Sequence, residues 1–448
     1  MYPKEIEKLL KSKRIGVGSR VKVTKGKQSY EGLLMPRIGL GDRDNIVIKL
    51  DNGYNIGIKY ERGLNIEKLK GGKRLKFKSA KAYVRKDPDK PTVSILGCGG
   101  TIGSRIEYKT GAVFPAFSPD DLLVSFPQLK EIANVRGRKL FDLFSEDMSP
   151  AHWQVVAREV ASEIKKKAGG VVLMHGTDTM HFTAAALSFM VQTPTVPVVL
   201  VGAQRSSDRG SSDNEMNLVC STTLAAKSDM AEVGICMHAS MADDYCFFHQ
   251  GTKVRKMHTS RRDTFRSINV VPFARVWYEK LKIELLRKDY KQRGVGKLVL
   301  DDKINPRVGL FYSYPGIDPA IFEGLMDFYD GIVIAGTGLG HVPTNPSNDR
   351  LSKSIVPALR TLIESGIPVV IAPQTIYGRL NLNVYEAGRL LNEIGVIGNG
   401  CDWTPEAALV KLMWVLGHTK KMDKVREMML TNMAGEISGR TEPEAFLL

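Results

Sequence analysis

Four apolar runs, Val93–Leu96, Val171–Met174, Val198–Val201 and Val233–Met237, alternate with stretches of helical periodicity. Runs of this kind are strands buried on both faces, and the helices between them supply the crossovers that parallel strands need. The chain is therefore expected to carry an α/β core whose parallel sheet is covered on both sides. The clearest helix opens at Ser149-Pro150, a hydroxyl cap followed by proline in the first turn. Trp153, Val156, Ala157, Val160, Ala161 and Ile164 then recur at helical spacing. A second set of strands, Val308–Tyr312, Gly331–Ala335 and Val369–Ala372, predicts a second lobe. Between the lobes, residues 286–305 are polar and basic, contain Gly294 and Gly296, and read as a hinge.

Ahead of the core, residues 1–12 read as a basic amphipathic helix. Val21 and Val23, Ile46 and Ile48, and Ile56 and Ile58 then keep a period of two, with Asp51-Asn52-Gly53 as a tight-turn signal. Short strands and frequent glycines predict a small β-barrel over residues 1–70. A basic linker follows over 71–91. The lobes take 92–285 and 306–420, leaving 286–305 between them. A charged, methionine-rich tail, 421–448, reads as a helix for packing on a partner.

Charge is unevenly spread. Residues 1–90 hold 24 Lys and Arg against 10 Asp and Glu, net +14 of the chain's +16. That end is a candidate for contact with an anionic macromolecule. No apolar run reaches the roughly 18 residues of a spanning helix, so no membrane role is expected. The start is charged and lacks the apolar stretch of a secretory signal. The 5 cysteines are scattered without Cys-x-x-Cys, which predicts a reducing, cytoplasmic setting and neither a disulfide framework nor a metal site.

Two motifs place a threonine at the carboxyl end of a buried strand, the edge where open α/β sheets bind ligands. They are Gly97-Cys98-Gly99-Gly100-Thr101-Ile102-Gly103 and His175-Gly176-Thr177-Asp178-Thr179. The first fails as a dinucleotide loop, since Ile102 stands where the last glycine is needed, and no Gly-Lys-Ser/Thr exists for a phosphate loop. It can instead leave Thr101 exposed as a nucleophile, or be an ordinary glycine turn. In the second, Asp178 can orient an ammonium, and the same residues also fit a helix cap. His175 and His181 lack metal-ligand spacing and read as structural. A threonine hydroxyl needs a base, and Lys256 in Val254-Arg255-Lys256 is the candidate. Ser145-Glu146-Asp147-Met148 and Tyr108 are further candidates, whereas Gly336–His341 reads as a loop-shaping turn.

Together with Thr264-Phe265 after Lys256, these motifs resemble the bacterial-type L-asparaginase/glutaminase family, in order and spacing, from Thr92 to about Lys420. The resemblance implies an α/β protein with a two-lobed asparaginase-like parallel-sheet core, here preceded by the small barrel. It implies an active site on Thr101, Thr177, Asp178 and Lys256, with Thr101 as first nucleophile. Tyr108 matches a lid tyrosine, and Ser145 and Glu146 match a pair that grips the substrate's α-carboxylate and α-amino groups. Three departures stand out: Cys98 replaces a threonine common in the family, Glu146 replaces a common glutamine, and the basic region 1–90 has no counterpart in simple asparaginases.

The whole chain is similar to the D-subunit family of archaeal glutamyl-tRNA(Gln) amidotransferases. That resemblance implies a glutamine-hydrolysing component of a carbon–nitrogen ligase, working as a homodimer joined to two E subunits. The E subunit would bind Glu-tRNA(Gln), use ATP and magnesium and receive ammonia. No cofactor and no metal is assigned to this chain. A stand-alone L-asparaginase/glutaminase with an accessory domain is the alternative. A nucleic-acid-binding protein with a vestigial enzyme core is a third reading, favoured only by the N-terminal charge.

Overall fold

The computed structural model describes residues 2–36, 44–51, 54–61, 63–69, 87–100, 102, 126–206 and 210–446, and the backbone of 104–106 and 113–115. Thr101, Tyr108, the Asn52-Gly53 turn and most of the 71–91 linker lie outside the described residues.

The N-terminal domain begins with helix α1 (Lys4–Ser12) and continues through β1 (Arg20–Lys25), β2 (Gln28–Leu34), β3 (Asn45–Lys49), β4 (Asn55–Lys59) and β5 (Asn65–Lys68). The strands pair antiparallel in the order β4-β3-β2-β1-β5. β4 and β5 are edges that do not pair with each other, so among the described residues the expected barrel is an open sheet. The apolar side is covered by the helix: Ile6 and Leu10 share a core with Val21, Val23, Ile46, Ile48 and Ile66. Val21 and Val23 pair with Gly32 and Tyr30 on one side and with Lys68 and Ile66 on the other.

The main sheet is built from β6 (Thr92–Gly99), followed by the short hairpin β7 (Ser104–Ile106) and β8 (Val113–Pro115), then β9 (Asn134–Leu143). After helices α2 (Leu129–Ile132) and α3 (Pro150–Lys165) come β10 (Gly170–Met174), α4 (Met180–Met190), β11 (Val198–Val201), α5 (Asn214–Lys227) and β12 (Val233–His238). Strands β6, β10, β11 and β12 are parallel neighbours, as expected, and β9 adds a further parallel strand beside β6. Beyond β12 the sheet turns antiparallel through β13 (Tyr245–Gln250), while β14 (Val254–Lys256) and β15 (Phe265–Ser267) form a separate two-stranded arm. β16 (Ala274–Trp277) and β17 (Lys282–Leu285) then complete eight strands. The core sheet is thus mixed, not wholly parallel. Short loops join β12 to β13 and β16 to β17, and a short loop suffices only for antiparallel neighbours, whereas the β14–β15 arm lies between β13 and β16.

The second lobe has three parallel strands, β18 (Val308–Tyr312), β19 (Gly331–Gly336) and β20 (Val369–Pro373). Helices α6 (Val356–Glu364), α7 (Glu386–Glu393), α8 (Pro405–Leu416) and α9 (Met422–Leu430) accompany it. One apolar core runs through both lobes, from Val93 and Leu173 to Val333 and Trp403.

Two expectations change. Residues 286–305 are a docked strap: the Arg293 guanidinium donates to the carbonyls of Ser228 at 2.6 Å, Ala225 at 2.9 Å and Gly169. The last carbonyls of α5 lack intrahelical partners, and this arginine supplies donors. The tail packs on its own chain, where the buried ammonium of Lys411 in α8 donates to Met429 O at 2.6 Å, Thr431 O at 2.7 Å and the buried carboxylate of Glu436. A fully buried ion pair needs such additional bonds to offset its desolvation. Among the described residues no helix is long and apolar enough to cross a membrane.

Candidate active site

Three strand ends meet here because their glycines allow it. Gly99 and Gly100 leave β6 with φ of +101° and +84°, a region that L side chains disfavour. A Cβ on Gly99 would stand 2.2 Å from Leu143 O, and one on Gly100 would stand 2.4 Å from Gly176 N. A Cβ on Gly176 would stand 2.8 Å from Ser145 Cβ. The segments after β6, β9 and β10 are therefore in close contact. Gly100→Ala combines a strained φ with overpacking, and is expected to destabilise the chain by about 2–5 kcal/mol in denaturant unfolding.

The buried ring of His175 fixes the turn after β10. Its Nδ1 lies 2.7 Å from Gly176 O and its Nε2 2.9 Å from Thr183 Oγ1, which also accepts from Trp153 Nε1 at 3.1 Å. The chain then presents Thr177 and Asp178 just ahead of α4, whose N-terminus favours negative charge. Lys256 arrives from the end of β14, held in register by the Lys256–Phe265 pair with β15. Its Nζ donates to Thr177 Oγ1 at 2.9 Å, Asp178 Oδ1 at 2.7 Å and Gln204 Oε1 at 3.3 Å. The Lys256 side chain is 10% exposed and that of Asp178 65%, so the ion pair is sheltered on the lysine side and screened on the other.

Ser145, on the short turn Ser145–Asp147, is buried against Gly176, and Thr179 Oγ1 donates to its carbonyl. Ser145 Oγ has no hydrogen-bond partner among the described residues. Glu146, beside it, is exposed. Thr177, Asp178, Lys256 and Ser145 thus come together. Thr101 and Tyr108 lie outside the described residues, though Gly100, which leads into Thr101, rests on the same turn as Thr177.

Sequence reasoning missed Gln204 and the residues that hold its loop. Gly202-Ala203-Gln204 follows β11, a third buried strand ending on the same edge, and that position was the available signal. It also missed Glu406 of α8, which accepts from Arg255 Nε at 2.7 Å. Asp178, His181, Lys256, Arg255, Tyr312 and Glu406 line an open cleft of about 520 Å³. A larger cavity of about 700 Å³, between Glu232, Arg287 and residues 432–442, shares none of these residues.

Burial pushes the Cys98 thiol up to about 12, which keeps it protonated and unfit as a nucleophile. Burial also lowers His175 and His181 from 6.5 to about 4. Both rings are neutral in the folded chain at pH 7, and the unfolded chain binds the extra protons first as pH falls. Their contribution to stability is present above 6.5 and is lost as pH falls towards 4. The slope is up to about 1.4 kcal/mol per pH unit for each ring. Denaturant midpoints should fall steadily across that window, and a flat profile would contradict the assignment.

Residues 92–290 match the family model described as Asparaginase, N-terminal, and residues 307–429 match the Glutaminase/Asparaginase C-terminal domain. Residues 15–69 match the GatD N-terminal domain. The glutamyl-tRNA(Gln) amidotransferase D subunit of Pyrococcus furiosus is 49% identical over 99% of this chain and 100% of the relative. The chain belongs to the glutamyl-tRNA(Gln) amidotransferase D-subunit family. Within that family, the D subunit of Methanothermobacter thermautotrophicus is 49% identical over 98% of both chains. Among solved structures, the thermostable L-asparaginase from Thermococcus kodakarensis superposes with a TM-score of 0.68 at 32% identity, covering 78% of this chain and 100% of that one. The L-asparaginase I of Vibrio cholerae gives 0.65 at 28% identity, covering 78% and 99%. This chain therefore combines an asparaginase-like core with the N-terminal sheet domain.

Proposed function

We propose that this chain is the glutamine-hydrolysing component of a Glu-tRNA(Gln) amidotransferase and delivers ammonia to an E-type partner. The observation that carries the chemistry is Lys256 Nζ bonded at once to Thr177 Oγ1 and Asp178 Oδ1, at 2.9 and 2.7 Å. Full-length similarity to proteins of that name supports the physiological setting.

In the proposed reaction the Thr101 hydroxyl attacks the side-chain carboxamide carbon of glutamine. Lys256, with Thr177 and Asp178, takes the hydroxyl proton and returns it to the leaving nitrogen. The C–N bond breaks, ammonia departs and an ester to Thr101 remains. Water, activated by the same lysine and threonine, hydrolyses the ester and releases glutamate. Preorganised donors on the developing oxyanion are worth about 3–4 kcal/mol each in other enzymes. Ser145 and Glu146 hold the α-carboxylate and α-amino groups, and Tyr108 helps to activate Thr101. Thr101, Tyr108 and the gripping pair carry these roles by resemblance to the asparaginase family.

The assembly is a homodimer of this chain with two E subunits. ATP, magnesium and Glu-tRNA(Gln) belong to the E half, and the cytoplasm is the setting. Reconstitution tests the reading. The purified chain with an E-type partner should convert Glu-tRNA(Gln) to Gln-tRNA(Gln) while consuming glutamine. Rapid hydrolysis of free asparagine by the chain alone, with no amidation when the partner is added, would favour the stand-alone L-asparaginase.

A further inference from the structure

Lys256 has three N–H donors when charged, and each finds an acceptor: Thr177, Asp178 and Gln204. The third partner is firmly anchored. The backbone N–H of Gln204 donates to both oxygens of Asp213, at 2.9 and 3.1 Å, and the N–H of Arg205 donates to Asp213 Oδ1 at 3.0 Å. Asp213 is fully buried and accepts again from Asn217 Nδ2 at 3.0 Å, which also reaches Gly202 O at 3.0 Å. Four bonds therefore pin the loop that carries Gln204. Its amide nitrogen, Nε2, is buried and has no partner among the described residues.

A carboxamide is two-faced. Turning it by half a rotation replaces an acceptor by a donor at nearly the same point. An ammonium needs the acceptor, and a neutral amine needs the donor. A lysine that shuttles a proton passes through both states.

We propose that Gln204 is the positioning residue for Lys256, holding the ammonium through Oε1 and, after the amide turns, the neutral amine through Nε2. The inference rests on the shuttle role given to Lys256 above. Asp178 cannot do this, because a carboxylate at neutral pH only accepts. The other charged or titratable groups facing the lysine are His181 of α4, Arg255 on its own strand, His258 in the next loop and Glu406 of α8. None of these donates to or accepts from Nζ among the described residues.

The test compares the full chain with Gln204→Glu and Gln204→Leu. Glutamic acid is a permanent acceptor with a negative charge, so the acid limb of the glutaminase kcat profile should move up by about one pH unit. Leucine removes the acceptor, so the limb should move down. Each variant should lose about tenfold in kcat, one hydrogen bond's worth, with a smaller change in KM. In parallel, the pH dependence of Lys256 acylation by acetic anhydride, followed by mass spectrometry of its peptide, reads the amine directly and needs no catalysis. Its midpoint should move in the same opposite directions. Unchanged midpoints, or both shifted the same way as in a loosened site, would overturn the role of Gln204. If the unaltered chain fails to hydrolyse glutamine, the proposed function fails while the labelling still decides the inference.

Discussion

Lys256→Met is expected to lower glutamine hydrolysis by about 10²–10⁴-fold in kcat, the range of a lost general acid–base group. Methionine keeps the length and apolar stem of lysine but removes the amine that joins Thr177, Asp178 and Gln204. The hydroxyl then has no base and the leaving nitrogen no proton donor. Stability should change little, since the ion pair lost is with Asp178, which is largely exposed and screened. Steady-state kinetics beside a denaturant titration separate the two. A variant within threefold of the parent would remove Lys256 from the chemistry.

Thr101→Ala should be more severe, with a fall of at least about 10⁴-fold in glutamine-dependent amidation by the assembled complex. Loss of a covalent nucleophile removes the intermediate itself, where loss of an acid–base group only raises a barrier. The same complex supplied with ammonium salts should still amidate Glu-tRNA(Gln) at the parental rate, because the partner's half-reaction is untouched. Full glutamine-dependent activity in the variant would show that Thr101 is not the nucleophile. Loss of the ammonium-driven reaction as well would show that assembly had failed instead.

The sequence was most legible where burial is complete. Val171–Met174 and Val198–Val201 are buried at every position, so an unbroken apolar run announces a central strand. β9 was not foreseen. It lies at the sheet's edge and carries Arg136, Arg138 and Lys139, so its pattern reads as polar. The antiparallel half was missed for a related reason. Tyr245–Gln250 is half-buried at its first positions, and its pairing with β12 and β16 depends on partners outside its own segment.

The site divides in the same way. Thr177 and Asp178 stand out because they follow a buried strand at the edge where open α/β sheets bind ligands, although the same residues also fit a helix cap. Lys256 is visible only through its partners, since an isolated lysine usually reads as solvated surface. The one signal for Gln204 was its place after β11, at the sheet edge where Thr177 also stands. Its role depends on Asp213, nine residues on, folding back over its backbone, a contact that no local pattern announces. The 286–305 segment illustrates the opposite error. Its glycines and charges read as a hinge, yet Arg293 and the Val191–Leu300 bridge bind it along the first lobe.

The central claim is that side chains distant in sequence converge on one carboxamide. Labelling with a diazo-ketone analogue of glutamine, followed by peptide mapping, tests it most directly. A single adduct on one of the two threonines, 101 or 177, suppressed by excess glutamine and nearly abolished in Lys256→Met, is the predicted result. An adduct on any other residue, or one indifferent to Lys256, would contradict it.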